Sequence, residues 1–334
     1  MSSLLVSPTW QKVRWPLAAL GLVLLFNAFF TAGFFHLELK DGRLYGSLVD
    51  ILNRAAPVML VALGMTLVIA TGGVDLSVGA IMAIAGALGA MLVNAGQPVP
   101  LVIALALASG LAAGLWNGAL VGFAQVPPIV ATLILMVSGR GLAQLLTGGQ
   151  IVTFENRTFE FIGRGHFAGL PFTITLVAIV LAVLQVTTRK TACGLFIEAT
   201  GDNEVASQCA GVGTRLVKLL VYGICGVCAA LAGLIVATDI KAADANNAGL
   251  YVELDAILAV VVGGTALSGG RISLAGSLIG AVLIQTLTTT ILTRGIPPTW
   301  TLVVKSAVII IVCLLQAPKF RSFLLRSSLS RGVP

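Results

Sequence analysis

Runs of predominantly apolar residues recur along almost the whole chain, and a helix needs roughly 20 such residues to cross a hydrocarbon core. These runs leave few choices of fold. A membrane β-barrel would require alternating rather than continuous apolar sequence. Charged residues make up only 10% of the 334 positions, against about 25% in soluble domains. The expectation is an all-α membrane protein, one transmembrane domain over 1–334, with about ten spans. They fall near 17–35, 51–70, 78–94, 100–123, 128–147, 172–188, 216–238, 254–268, 273–293 and 300–317. Lys12 and Arg14 precede the first run, which carries no small-residue cleavage site and reads as a retained span.

Ten spans put both termini on one side, and charge decides which. One set of faces carries Lys12, Arg14, Arg189, Lys190, Arg215, Lys218, Arg271, Lys319, Arg321, Arg326 and Arg331 against Glu198, Asp202 and Glu204. The other carries Lys40, Arg43, Arg54, Arg157, Arg164, Lys241 and Arg294 against a larger number of acids. Cytoplasmic loops hold the excess of Lys and Arg. Both termini and 189–215 are therefore expected in the cytoplasm, and 148–171 and 239–253 outside. The net charge of +7 is topology, not a footprint for nucleic acid.

An internal repeat fits this layout. Sliding the chain by 191 residues sets GGVDLSVG (72–79) on GGTALSGG (263–270), so that Gly72, Gly73, Leu76, Ser77 and Gly79 fall on Gly263, Gly264, Leu267, Ser268 and Gly270. Farther on, Gly89, Ala90 and Leu92 fall on Gly280, Ala281 and Leu283. The shift carries spans two and three onto eight and nine, a parallel repeat. Gly-rich breaks of this kind let backbone leave helical geometry where it lines a cavity or meets another helix.

The one long polar stretch between apolar blocks is 189–215, RKTACGLFIEATGDNEVASQCAGVGTR. Asp202 or Asn203 suits a helix N-cap, Glu204 the first turn, and Gly211 a left-handed stop. The spacing predicts about two turns with Val205, Ala206, Cys209 and Ala210 on one side and Glu204, Ser207 and Gln208 on the other. Two turns do not persist alone in water, so the element rests on something, either as a joining loop or as a docking knob.

Residues that would carry covalent chemistry are missing. LSGGR (267–271) is similar to an ATP-binding-cassette signature, but the chain has no GxxxxGK[ST] phosphate loop. Cys225 and Cys228 form a CxxC inside an apolar helix and read as small packing residues. No Ser/His/Asp set, metal cluster or carboxylate pair stands out, and the chain reads as one that binds no metal or cofactor of its own. Asp75 in the first break, Asn117 in span four and Arg140 in span five are candidates for the translocation path together with Gly72, Gly73, Gly263 and Gly264, because polar groups at depth face a bundle interior or wet cavity. For Asp75 a carboxylate simply facing water is the alternative, and Lys305 reads as a snorkelling side chain. Asp244, Asn246, Asn247 and Glu253 are candidates on the outer face, or else ordinary turn formers and helix-start acids.

NRAAPVMLVALGMTLVIATGGVDLSVGAIMAIAGA (53–87), ATLILMVSGRG (131–141), GLFIEATGDNEVASQCAGV (194–212) and ADANNAGLYVELDAILAVVVGG (243–264) together resemble the bacterial ABC sugar importer permeases. The ribose, xylose and galactoside permeases form the broad group, and galactofuranose importer permeases are the nearest likeness. The resemblance covers about 41–316. It implies a multi-pass inner-membrane subunit that imports a monosaccharide by alternating access. It implies that Glu198, Ala199, Thr200, Gly201, Asp202, Asn203 and Gly211 belong to a coupling helix seated on a partner ATPase. The implied partners are a twin-cassette ATPase carrying the ATP and Mg, a second permease (identical or related) and a periplasmic sugar-binding protein. A different ligand within the family, such as ribose, a nucleoside or an autoinducer-type furanosyl compound, is one alternative. A secondary transporter or channel is another, but it would want more ionisable residues at depth.

Overall fold

The computed structural model describes residues 8–31, 33–40, 42–297, 299–300, 302–307 and 310. Along the described residues up to 297 the helices follow in the order α1 (Pro8–Phe30), α2 (Ser47–Ala70), α3 (Val78–Asn94), α4 (Val99–Gly122), α5 (Pro128–Thr147), α6 (Arg157–Arg164), α7 (Phe172–Lys190), α8 (Ala192–Asp202), α9 (Glu204–Cys209), α10 (Thr214–Ile240), α11 (Val252–Val262) and α12 (Leu274–Thr293). Six of them are long and apolar enough to cross a membrane: α2, α4, α5, α7, α10 and α12. Arg14–Phe30 within α1 and the whole of α3 are shorter apolar helices. Among the described residues, strands are confined to short antiparallel pairs: β1 (Glu38–Lys40) with β2 (Arg43–Tyr45), β3 (Val152–Thr153) with β6 (Ala242–Ala243), and β4 (His166–Phe167) with β5 (Leu170–Pro171).

The core is built around α2, α3 and α10. Between Leu60 and Ala70 every residue of α2 is buried, so this helix meets protein on all sides. The pairing of α4 with α10 has a simple sequence cause. Gly110, Gly114, Gly118 and Gly122 recur every four residues and form one stripe on α4. A Cβ at these positions would strike, in turn, the Gly226 carbonyl, the Tyr222 carbonyl, the Leu219 backbone and the Arg215 carbonyl of α10. Small residues in such a row let two backbones approach in lipid, where packing rather than the hydrophobic effect holds helices together. The opposite face of α4 exposes Leu101, Leu105 and Trp116. On its other flank α10 turns Cys225 and Cys228, both buried and unpaired, toward Gly64 of α2. These cysteines occupy the packing positions expected of them.

Polar bridges tie the remaining helices on. Thr66 of α2 donates to Ser277 of α12 at 2.7 Å, and buried Asn27 of α1 donates to Thr290 of α12 at 2.7 Å. Neither bridge is visible in sequence, because a lone hydroxyl inside an apolar run carries no periodic signal.

Two expectations need correction. The first span ends at Phe30, five residues before the expected limit of 35. Span eight, expected over 254–268, is the 11-residue α11, and a turn follows from Gly263; at 1.5 Å per residue it reaches about 16 Å, too short to cross alone. The segment 239–253 packs on the bundle: Ala243 and Ala245 are buried, and Gly249 lies against Gly79 at the start of α3. Small residues allow this approach, since Gly249 has φ +70 and a Cβ there would sit 2.6 Å from the Gly79 carbonyl oxygen. Of span ten, 302–307 is helical. The rest of that span and the basic residues beyond it lie outside the described residues.

Candidate functional site

The stretch 189–215 forms two helices meeting at an elbow. Thr191 caps α8 by accepting from the Cys193 amide at 3.2 Å. Asn203 ends α8 and caps α9, its side chain accepting from the Ala206 amide at 2.9 Å. Gly211, with φ +85, closes α9 in a Schellman turn: its amide donates to Gln208 and the Val212 amide donates to Ser207. The expected cap, two-turn length and glycine stop are all present. The separate α8 had no signal of its own, because its Gly194 and Gly201 weaken a helical pattern.

The orientation of α9 is the notable feature. Two of its polar residues are turned inward while Gln208 stays exposed: Ser207 is buried and donates to the Ala199 carbonyl at 2.8 Å, and Glu204 pairs with Lys218 of α10 at 2.7 Å. Its apolar side faces outward, with Val205 at 71% exposure and Ala206, Cys209 and Ala210 exposed. Leu195 of α8 adds to this surface at 67%.

Beneath the elbow lie both Gly-rich breaks. Glu198 accepts from the Ile272 amide at 3.0 Å. The Gly270 amide donates to the Ala70 carbonyl at 2.9 Å, so the break at 263–273 is bonded to the end of α2. Gly201 wedges between them: a Cβ there would fall on the Ala70 carbonyl oxygen and 2.6 Å from the Gly270 nitrogen. Gly270, with φ +80, lies against Asp202. The two segments aligned by the 191-residue shift are thus brought side by side under one helix. Gly72 has φ +80 and Gly264 φ +91, which side chains rarely adopt. Gly73 and Gly263 need space instead, against the Tyr222 hydroxyl and Gly276 respectively.

Past Gly73 the chain runs into the bundle. Asp75 does not face water: it is fully buried and accepts through Oδ1 from the Ser77 amide at 2.9 Å and the Ser77 hydroxyl at 2.6 Å. Asn117 of α4 donates to Ser77 Oγ at 2.9 Å, so Asp75 and Asn117 share one cluster. The Tyr222 hydroxyl donates to the Val74 carbonyl at 3.3 Å and fixes the same strand of chain. Asp75 Oδ2 and Asn117 Oδ1 have no protein hydrogen-bond partner.

Arg140 belongs to a different set. Its guanidinium donates to the carbonyls of Ala248 at 2.6 Å and Ala245 at 3.1 Å, and Gln144 donates to Asn246 at 2.7 Å. Arg140 therefore clamps the 244–249 turn onto α5 rather than standing with Asp75. Asp244 organises that turn, accepting from the Asn246 and Asn247 amides and from the Asn247 side chain; these bonds, that from the Asn247 side chain first, hold its carboxyl below the usual range. A Cβ at Gly79 would lie 2.7 Å from Glu253 Oε2, placing this carboxylate at the start of α3. Lys305 does not snorkel: it pairs with Asp255 at 2.9 Å, both largely buried. No group of three metal-ligating side chains occurs among the described residues.

Helices broken at glycines, polar clusters at the breaks and a helical elbow seated on both define a polytopic membrane protein of the permease kind. Residues 47–313 match the model of the family described as branched-chain amino acid transport system / permease component, and the chain belongs to that family. It is 53% identical over 319 residues to the galactofuranose transporter permease protein YtfT of Escherichia coli K12, covering 94% of each chain. It is 39% identical to the fructose import permease protein FruF of Bifidobacterium longum, over 93% of this chain and 89% of the relative. Against the ribose import permease protein RbsC of Bacillus subtilis the identity is 39%, over 82% of this chain and 85% of the relative.

Proposed function

We propose that the chain is the membrane permease subunit of an ATP-driven importer that carries a monosaccharide of the galactofuranose class into a bacterial cell by alternating access. It makes and breaks no covalent bond. ATP and Mg belong to a partner ATPase with two cassettes, a second permease completes the pore, and a periplasmic sugar-binding protein delivers the ligand. The single domain crosses the inner membrane about ten times with both termini in the cytoplasm. In this topology 189–215 is cytoplasmic, and 148–171 and 239–253 are periplasmic.

The observation that carries the proposal is the reversed amphipathy of α9. A two-turn helix that tucks Ser207 and Glu204 inward and offers Val205 outward has an apolar surface suited to a protein partner. Beneath it Glu198 and Gly201 reach both breaks. A force applied to the elbow acts directly on the pore-side backbone near Gly72, Gly73, Asp75, Gly263 and Gly264. The elbow residues Glu198, Ala199, Thr200, Gly201, Asp202, Asn203 and Gly211 are thus assigned to coupling. Such a device needs two bundle states that bind the ATPase and the loaded binding protein differently.

The test is co-purification of the tagged chain from its native membrane in mild detergent, alongside Val205→Asp. The wild type is expected to bring a twin-cassette ATPase and a second permease, and the variant to lose the ATPase while keeping its own melting temperature. Uptake that persists after ATP depletion, with no ATPase recovered, would overturn the reading in favour of a secondary transporter.

A further inference from the structure

At the end of the bundle away from the elbow, the first turns of α2 and the last turns of α10 and α12 line a half-open cavity of about 600 Å³, with Gly163 of α6 also in its wall. Its size lies within the roughly 300–1,000 Å³ of small-molecule sites. Its wall is unusual for a membrane bundle. Gln285, Thr288 and Thr289 of α12 line it, and Gln285 donates to the Thr289 hydroxyl at 3.4 Å. An amide in a spanning helix is costly unless it meets a partner or a wet cavity. The neighbouring Thr286 and Thr290 face inward and are buried, so the polar run QTLTTT is divided between helix packing and this cavity.

A second feature points the same way. Pro57 lies inside α2 and lines the cavity with Asn53, one turn earlier. Proline has no amide hydrogen, so the carbonyl of Asn53, itself a lining residue, loses its helical donor. Asp50 and Asp239 also line the cavity, against one guanidinium, Arg54. Two carboxylates against one cation disfavour a phosphate. Carboxylate, amide and hydroxyl groups at fixed spacing suit a neutral ligand carrying several hydroxyls, and Ile235 supplies an apolar patch for its C–H face.

We propose that this cavity is a monosaccharide-holding station within a single permease subunit, where the sugar rests on entering from the outer side. The inference rests on the import function proposed above, which makes this end the periplasmic one.

The test uses the whole transporter, reconstituted in vesicles with its ATPase and loaded binding protein. Uptake of labelled D-galactose, whose solution holds both ring forms, is compared for wild type, Asp50→Asn and the double variant Gln285→Leu/Thr289→Val. Loss of one or two hydrogen bonds to hydroxyls is expected to lower uptake about tenfold, while ATP hydrolysis stimulated by the loaded binding protein stays near wild type. Separately, Thr289→Cys, with Cys193, Cys209 and Cys313 replaced by Ser, is alkylated from outside with an impermeant maleimide, and galactose is expected to slow the reaction. Unchanged uptake in the double variant, or alkylation that galactose does not slow, overturns the station. Slowing by anionic phospholipid and not by sugar also overturns it, and makes the cavity a headgroup site. A wild type that moves no sugar refutes import instead, and the alkylation result, which needs no transport, still judges the cavity.

Discussion

Replacing Gly201 by Ala adds one methyl group at the place where α8 meets both breaks. A helix of this kind gains roughly 0.5–1 kcal/mol from Gly→Ala on propensity alone. The contact geometry opposes it. The new Cβ would fall on the Ala70 carbonyl oxygen and 2.6 Å from the Gly270 nitrogen, and both are backbone atoms that cannot swing aside. Overpacking of this kind costs about 1–3 kcal/mol. Lifting α8 also breaks the Glu198–Ile272 bond, a charge-assisted one worth about 1.5–3 kcal/mol. The net cost to the seated elbow is at least about 1.5 kcal/mol, so its population relative to the lifted state falls by roughly tenfold or more. Hydrogen exchange of 192–202 should speed up and sugar uptake should fall by at least tenfold, while the melting temperature of the bundle stays put. Gly141→Ala is the control, since a Cβ there meets nothing within 4 Å. Wild-type uptake together with unchanged exchange in Gly201→Ala would refute the wedge.

Glu198→Gln keeps an acceptor for the Ile272 amide and should retain most uptake, whereas Glu198→Ala leaves that amide unpaired and should lose roughly tenfold or more; a rank order reversed in the uptake assay would rule out the hydrogen bond as the cause. Gly114→Leu drives a side chain into the Tyr222 carbonyl of α10 and should cost about 3 kcal/mol or more, seen as a lower midpoint in detergent thermal melts, with Leu105→Ala on the exposed face nearly neutral. Asp244 has a depressed folded-state pKa, set first by the Asn247 side chain, so its contribution is present above the unfolded value of about 3.9 and is lost as pH falls through the lower folded value. Proteolytic nicking of the 244–250 turn should therefore be flat from pH 8 to 5 and rise only below about pH 4; a rise near pH 6 would contradict the assignment.

Much of the bundle was legible because membrane helices declare themselves by composition. The limits of α3 and α5 match the apolar runs at 78–94 and 128–147, and the α9 cap at Asn203 and stop at Gly211 follow from local chemistry that acts within a few residues. Span eight misled for an equally physical reason. Residues 254–268 are predominantly apolar, yet Gly263 and Gly264 end the helix because Gly263 must press against Gly276, a contact 13 residues away that hydropathy does not register. Arg140 illustrates a second limit: depth in an apolar run says that a cation needs partners, but not that they are the carbonyls of Ala245 and Ala248. The polar wall at Gln285 and Thr289 passed unnoticed because serines and threonines are ordinary guests in spanning helices, and only the fold gathers them beside Asp50 and Asn53.

The seating of the elbow also explains why two breaks are useful rather than one. The Ala70 carbonyl accepts from Gly270, and Gly201 sits over both, so the ends of α2 and of the α11–α12 turn form one bonded unit beneath α8. Moving α8 without disturbing both would break the Glu198 bond to Ile272 and open a gap beneath Gly201. A displacement of the elbow is therefore shared between the chain leading to Asp75 and the chain leading into α12. The first ends in a buried cluster of Asp75, Ser77 and Asn117 that holds two unpaired oxygens, an arrangement already costly to keep. The second leads along α12 to Gln285 and Thr289. A single push at one end of the molecule would thus reach the buried polar cluster and the far cavity through separate helices, and the glycines at 201, 269 and 270 are what bring those helices close enough to share it.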